Sequence, residues 1–127
     1  MQQQIVFTKD APAPIGPYSQ AVKAGGMVYV SGQIAIDPAT NQITSGSVEE
    51  EAKQVMKNLE AVLIAAGSDF SRIVKTGIFL KDMNDFAVVN TVYGSFFTGN
   101  FPARETVEVA RLPKDVRVEI SCIALCA

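Results

Sequence analysis

The stretch "ARETVEVARLPKDVRVEISCIALC", Ala103 to Cys126, holds the choice on which the sheet depends. Two β-rich runs of alternating residues flank the short break "RLPKD". In the second run Val116, Val118, Ile120, Cys122 and Ala124 form one face, and Arg117, Glu119 and Ser121 the other. In the first, Val107 and Val109 oppose Arg104, Thr106 and Glu108. An antiparallel hairpin through the break pairs Val109 with Val116 and Val107 with Val118. Glu108 then meets Arg117, Thr106 meets Glu119, and Arg104 meets Ser121. A slip of one residue would put charges on the valine face, which favours this register. It sets Arg104 and Glu119 diagonally on one sheet face, roughly 7–8 Å apart at Cα.

Upstream, "QIVFT" (4–8) is a short strand candidate. "PAPIGPYSQA" (12–21) follows as a connector stiffened by Pro12, Pro14 and Pro17, because proline fixes φ and removes a donor. "AVKAGGMVYVSGQIAI" (21–36) reads as two strands around a Gly25-Gly26 turn, and "DPATNQITSG" (37–46) as loop. Ser47 with Glu50 three residues on is a capping box. Apolar residues at Val48, Ala52, Val55, Met56, Leu59, Val62, Leu63 and Ala66 then make one face of a helix that Gly67 stops. "RIVKTGIFLK" (72–81) is a strand. A second helix is expected within 82–99, capped by Asp82 or Asn84 and ended by Gly99. The order is β-β-β-α-β-α-β-β, an α+β sandwich with its helices on one sheet face.

The chain has 127 residues, which suits a single domain over 1–127, and 48% of them are hydrophobic, enough for a real core. Eleven Lys and Arg stand against 13 Asp and Glu, with no basic run, which argues against nucleic acid as a partner. No apolar stretch approaches the ~20 residues of a membrane helix. The N-terminal residues have no signal-peptide pattern, and Cys122 and Cys126 read as free thiols, so a reducing, cytoplasmic setting is expected. The histidine count is zero, which removes Ser-His-Asp and Cys-His nucleophile sites and most zinc sites.

The chemistry left belongs to carboxylates, arginine, tyrosine, hydroxyls and backbone. Arg104 could grip a carboxylate with two parallel hydrogen bonds, and Glu119 could activate a water as base and then serve as acid. From these residues alone a cross-strand salt bridge on a solvated face is the simpler reading. Ile123 and Leu125 share Glu119's face, however, which points to burial against another subunit. Asn90 borders the second helix's apolar stripe, where it either ties down a loop or frames a site. Ser31-Gly32 ends a strand, as a turn or bulge or as a place where backbone meets a ligand. Tyr18 either plugs the core or faces a ligand.

"IGPYSQA", "VYVSGQIAID", "VKTGIFLKDMNDFAVVN", "YGSFF", "FPARETVEVARLPKD" and "VEISCIA" together resemble the Rid family, the reactive intermediate/imine deaminases, and most of all its RidA-like subgroup. The resemblance implies a chorismate-mutase-like fold, one mixed sheet with two helices on one face, assembled as a homotrimer with active sites between subunits. It implies hydrolysis of small 2-imino acids, 2-iminobutanoate and 2-iminopropanoate, to 2-keto acids and ammonia, with no cofactor or metal. Arg104 falls on the family's carboxylate-binding arginine and Glu119 on its water-handling glutamate. Tyr18, Ser31, Gly32 and Asn90 fall on pocket positions. Thr106 stands where several relatives carry cysteine, so it tunes the pocket and no nucleophilic thiol acts there. The alternative function is a trimeric protein that binds small carboxylates for regulation, or a translation-inhibiting ribonuclease, without imine turnover.

Overall fold

A computed structural model describes residues 2–126. A six-stranded sheet carries two α-helices on one face, with a two-stranded ribbon beside it. The strands are β1 (Gln4–Val6), β2 (Ala21–Ala24), β3 (Met27–Gln33), the ribbon pair β4 (Ile36–Asp37) and β5 (Gln42–Ile43), β6 (Ile73–Leu80), β7 (Ala103–Glu108) and β8 (Val118–Leu125). The helices are α1 (Val48–Ala65) and α2 (Phe86–Ser95). The sheet order is β1-β2-β3-β8-β6-β7. β3 and β6 are both antiparallel to β8, which is inserted between them, and α1 joins them in a split β-α-β unit.

The expected turn at Gly25-Gly26 is present, with φ of 61° and 78° at the two glycines, values that suit a residue without Cβ. The Ser47 side chain accepts from the Glu50 N–H at 3.2 Å and caps α1. Ala52, Val55, Met56, Leu59, Val62 and Leu63 turn inward onto Val28, Val118, Ile120 and Ala124 of the sheet. Two polar side chains share that buried stripe. Glu51 accepts the Arg117 N–H at 2.9 Å and pairs with the Arg117 guanidinium at 3.3 Å. Asn58 donates to the Ile34 and Ile36 carbonyls at 3.1 and 2.9 Å, and accepts from Gln54. They fasten the ends of β8 and β3 to the helix.

The hairpin expected between Ala103 and Cys126 does not form. β7 lies parallel to β6, reached through α2 as a crossover, and β8 pairs antiparallel with the other edge of β6. The break is no tight turn. The Val109 N–H donates to Leu80 O, which prolongs the β6 pairing. Leu112 and Val116 are buried in a small second core with Ile34 and Ile36, and Pro113–Asp115 form a 3-10 turn between them. Burying Leu112 carries the chain past the end of β6 instead of folding it back on itself.

The second helix is also shorter than expected. Asp82 caps a 3-10 turn at Met83–Asp85, accepting from Asn84 N at 2.9 Å, and α2 stops at Ser95. Phe96 and Phe97 then pack with Phe70 at centroid distances of 5.6 Å each, so aromatic packing ends the helix before Gly99. Part of the stretch expected as loop is the β4–β5 ribbon. Cys122 and Cys126 are free, and burial pushes the Cys122 thiol up to about 12, so it is inert packing. Among the described residues no helix is long and apolar enough to cross a membrane.

Asn58→Ala takes the side-chain donor from the buried Ile36 carbonyl and leaves the Ile34 carbonyl with the Ile36 N–H alone. It should lower unfolding free energy by about 1–3 kcal/mol with the fold retained, and urea denaturation followed by circular dichroism checks this.

Candidate active site

Register decides which face each candidate occupies. Thr76 and Ile78 of β6 point into the core, and their Cα partners in β7 are Arg104 and Thr106. Both side chains therefore lie on the helix-bearing face. Phe79 points the other way, and its partner in β8 is Glu119. Glu119 thus lies on the open face, where Ser121, Ile123 and Leu125 follow it. Arg104 and Glu119 therefore do not share the sheet face that a β7–β8 hairpin would have given them. They occupy opposite faces with β6 between them, three residues out of level. That separates their Cα atoms by roughly 14 Å, so one chain does not bring them together.

The first cluster surrounds Arg104. With Asn90, Tyr93, Gly94, Phe101 and Pro102 it lines a cleft of about 340 Å³. The guanidinium carbon lies 5.1 Å from the Tyr93 ring centroid and 5.7 Å from that of Phe86, within cation–π range of both. Among the described residues no carboxylate pairs with Arg104 within 4.0 Å; the ion pairs there use other groups. An arginine framed by aromatic rings and lacking an acid is open to an anion from outside. Asn90 is half-buried on the wall of this cleft and is not a core residue. Thr106, two residues along β7, has a buried hydroxyl without a hydrogen-bond partner among the described residues.

The second cluster surrounds Glu119. Ile15, Tyr18, Ser31, Gly32, Ile34 and Pro113 join it around a cavity of about 410 Å³. Its walls are largely apolar, and half-burial raises the Glu119 pKa above the ordinary carboxylate value. Ser31-Gly32 form a β-bulge, where the β3–β8 register shifts between Val30 and Gln33. The missing side chain at Gly32 makes room for Glu119, because a Cβ there would meet the Glu119 carboxyl carbon at 2.8 Å. The Ser31 hydroxyl is committed inward, donating to Ser19 O at 2.6 Å. Tyr18 does not plug the core. It is 49% exposed, and its hydroxyl accepts from Ile15 N at 3.3 Å within its own loop.

One residue with a local role went unread in the sequence. Gln20 is buried at the end of the proline loop. Its side-chain carbonyl accepts from Thr8 N at 2.7 Å, and its amide donates to Thr8 O and Pro12 O at 2.9 Å each and to Ala11 O at 3.3 Å. This clamp closes the loop that carries Tyr18 and Ile15. The only sign in the sequence is a glutamine at the head of an apolar strand. Among the described residues no three His, Cys, Asp or Glu side chains converge to hold a metal ion.

The mixed α+β sheet thus carries an arginine without an acid among the described residues on one face and a desolvated carboxylate on the other, each beside its own cavity. The endoribonuclease L-PSP family model matches residues 8–126, and the chain belongs to this family, the Rid family of the resemblance above. It is 56% identical over 127 residues to a RutC family protein of Synechocystis sp., covering 98% of both chains. It is 50% identical over 123 residues to the 2-iminobutanoate/2-iminopropanoate deaminase of Homo sapiens, covering 97% of this chain and 90% of that one. Among solved structures it resembles E. coli TdcF with bound serine, with a TM-score of 0.93 and 43% identity, covering 98% and 99% of the two chains.

Gln20→Leu removes the clamp and strands one N–H and three carbonyls. Stability should fall by roughly 1–3 kcal/mol, and amide exchange across residues 8–20 should quicken while α1 stays protected. Hydrogen exchange with mass spectrometry reads both.

Proposed function

We propose that the protein is a 2-iminobutanoate/2-iminopropanoate deaminase that hydrolyses small 2-imino acids to 2-keto acids and ammonia. The observation that carries the reading is a pair of groups uncompensated among the described residues, Arg104 without an acid and Glu119 without a cation, each at the edge of its own cavity. A 2-imino acid offers a complement to both, a carboxylate for the guanidinium and an electrophilic carbon beside it for water. The relatives named for this activity, about half identical to the chain, support the reading.

In this reading the working unit is a homotrimer, with the Arg104 cleft of one copy facing the Glu119 cavity of the next. The open sheet face supports assembly, because Ile5, Tyr29, Val107 and Leu125 stand exposed there. Arg104 holds the substrate carboxylate. With the imine nitrogen protonated, Glu119 takes a proton from water as the oxygen attacks the C=N carbon, giving a neutral tetrahedral carbinolamine. Glu119 returns that proton to the amine nitrogen, the C–N bond breaks to release ammonia, and Glu119 takes the hydroxyl proton as the carbonyl forms and passes it to the departing ammonia. Asn90 and Thr106 line the Arg104 side, and Tyr18, Ser31 and Gly32 shape the Glu119 side. Because free imines also react with water unaided, a modest acceleration of about 10²–10⁴-fold suffices. The net charge of −2 and the lack of a basic stripe favour this substrate over RNA.

Arg104→Ala and Glu119→Gln should each lower imine hydrolysis by roughly 10²-fold and still sediment as trimers. Loss of imine is followed by semicarbazide trapping behind a threonine dehydratase. Mixing the two inactive variants at equal ratio through denaturation and refolding should restore about a quarter of wild-type activity, because random trimers then contain some sites with both groups intact. No recovery would show that the two groups do not serve one shared site. An unchanged semicarbazone yield with wild-type protein would remove the deaminase reading.

The raised Glu119 pKa sets the sign of the pH response. Once the substrate carboxylate occupies Arg104, burial dominates at Glu119, so the acid limb of kcat should lie above the ordinary glutamate value of about 4.3. The folded-state pKa exceeds the unfolded one, so ionised Glu119 disfavours the fold at every pH above that limb. With 2-oxobutanoate saturating Arg104, Glu119→Gln should therefore raise the melting temperature at neutral pH and leave it nearly unchanged in acid, as calorimetry at the two pH values would show.

A further inference from the structure

Arg104 has a long, rotamer-rich side chain and no acid among the described residues to fix it. What fixes its guanidinium is aromatic. The closer ring is Tyr93, which is almost fully buried and also packs on Phe97 at a centroid distance of 4.8 Å. The Tyr93 hydroxyl sits 2.8 Å from Thr76 Oγ1, and both groups are buried. Thr76 is in turn the Cα partner of Arg104 across the β6–β7 ladder. The chain of contacts closes on itself, running from Arg104 across the ladder to Thr76, up through the hydroxyl pair to Tyr93, and back by the ring face to Arg104.

We propose that Tyr93, keyed by Thr76, is a positioning residue that holds the Arg104 guanidinium in the orientation that receives a carboxylate in two-point contact. This rests on the assignment of Arg104 as the carboxylate anchor. The key works through a buried hydrogen bond with no slack. If Thr76 loses its hydroxyl, the phenol is buried without a partner, and its relief is to swing toward the cleft, where Arg104 stands. Tyr93 also has to stay uncharged, since a phenolate would be a permanent counter-ion that competes with the substrate. Burial raises its pKa and keeps the phenol neutral in the working range. The cation–π contact orients the guanidinium without neutralising it, which a carboxylate partner could not do.

The test is carboxylate binding, which does not require turnover. The probe is 2-oxobutanoate, titrated into wild-type protein and variants by calorimetry, with melting temperatures recorded alongside. Thr76→Val and Tyr93→Phe should each weaken binding by about fivefold to tenfold. Thr76→Ser, which keeps the hydroxyl, should bind as wild type. The double variant Thr76→Val/Tyr93→Phe should be no weaker than the poorer single one, because both changes break the same contact. In the imine assay KM should rise by the same factor with kcat within about twofold, since the carboxylate is gripped alike in ground and transition states. Variants that melt lower yet bind 2-oxobutanoate with wild-type affinity would overturn the proposal and leave the pair a purely architectural contact. If Thr76→Val does not fold, Tyr93→Phe carries the same test. Wild-type affinity in Arg104→Ala would remove the anchor itself, whereas loss there with unchanged binding in the Thr76 and Tyr93 variants would overturn only the positioning role.

Discussion

The double pairing of β6 is the constraint from which the rest follows. One edge of this strand takes β7 in parallel and the other takes β8 antiparallel, so its alternating side chains set the facing of both neighbours. Thr76 points to the helices, and so does its partner Arg104. Phe79 points to the open face, and so does Glu119. The crossover through α2 delivers β7 in the parallel sense and lays Phe86 and Tyr93 over its helix-facing side. α2 is short and covers this edge strand only in part. What would be core under a longer helix is a cleft with an arginine in it.

Much of this was legible in the chain. The α1 stripe, its Ser47 cap and the Gly25-Gly26 turn follow from local periodicity and turn chemistry, and the structure has them. The pairing of β7 was not legible, for a definite reason. A register argument selects among alignments of two strands already assumed to be partners, and it says nothing about a third strand coming between them. Val107 and Val109 looked like a core face because they are apolar, yet Val107 stands exposed on the open face while Arg104 turns to the helices. On an edge strand with one side covered by a short helix, apolarity no longer tells which side is inside. The polar anchors could have been read in part. Glu51, Val55, Asn58 and Val62 lie on one helical stripe, and a carboxylate and an amide within an apolar stripe announce buried partners, though not which ones. The residue types at Arg104, Glu119 and Asn90 were recognisable from motif alone, whereas their division into two cavities emerged only from topology.

That division has a chemical consequence. An arginine and a glutamate opposite each other on one sheet face would form an ion pair, and each would quench the other: the guanidinium would have its carboxylate, and the glutamate's pKa would fall beneath a neighbouring positive charge. A base needs a carboxylate whose proton affinity is raised, and an anion anchor needs a cation without a partner. Opposite faces of the sheet meet both needs within one chain, since roughly 14 Å and a strand's width keep the groups apart. In the proposed trimer they meet only across the boundary between copies, with the substrate carboxylate between them to take up the positive charge. The same logic accounts for the kind of support each receives. Arg104 is held by rings, which orient a cation without cancelling it, and Glu119 is seated beside a glycine and apolar side chains, which desolvate an anion without pairing it. Replacing either support with a charged partner would cancel the charge that the present surroundings leave free.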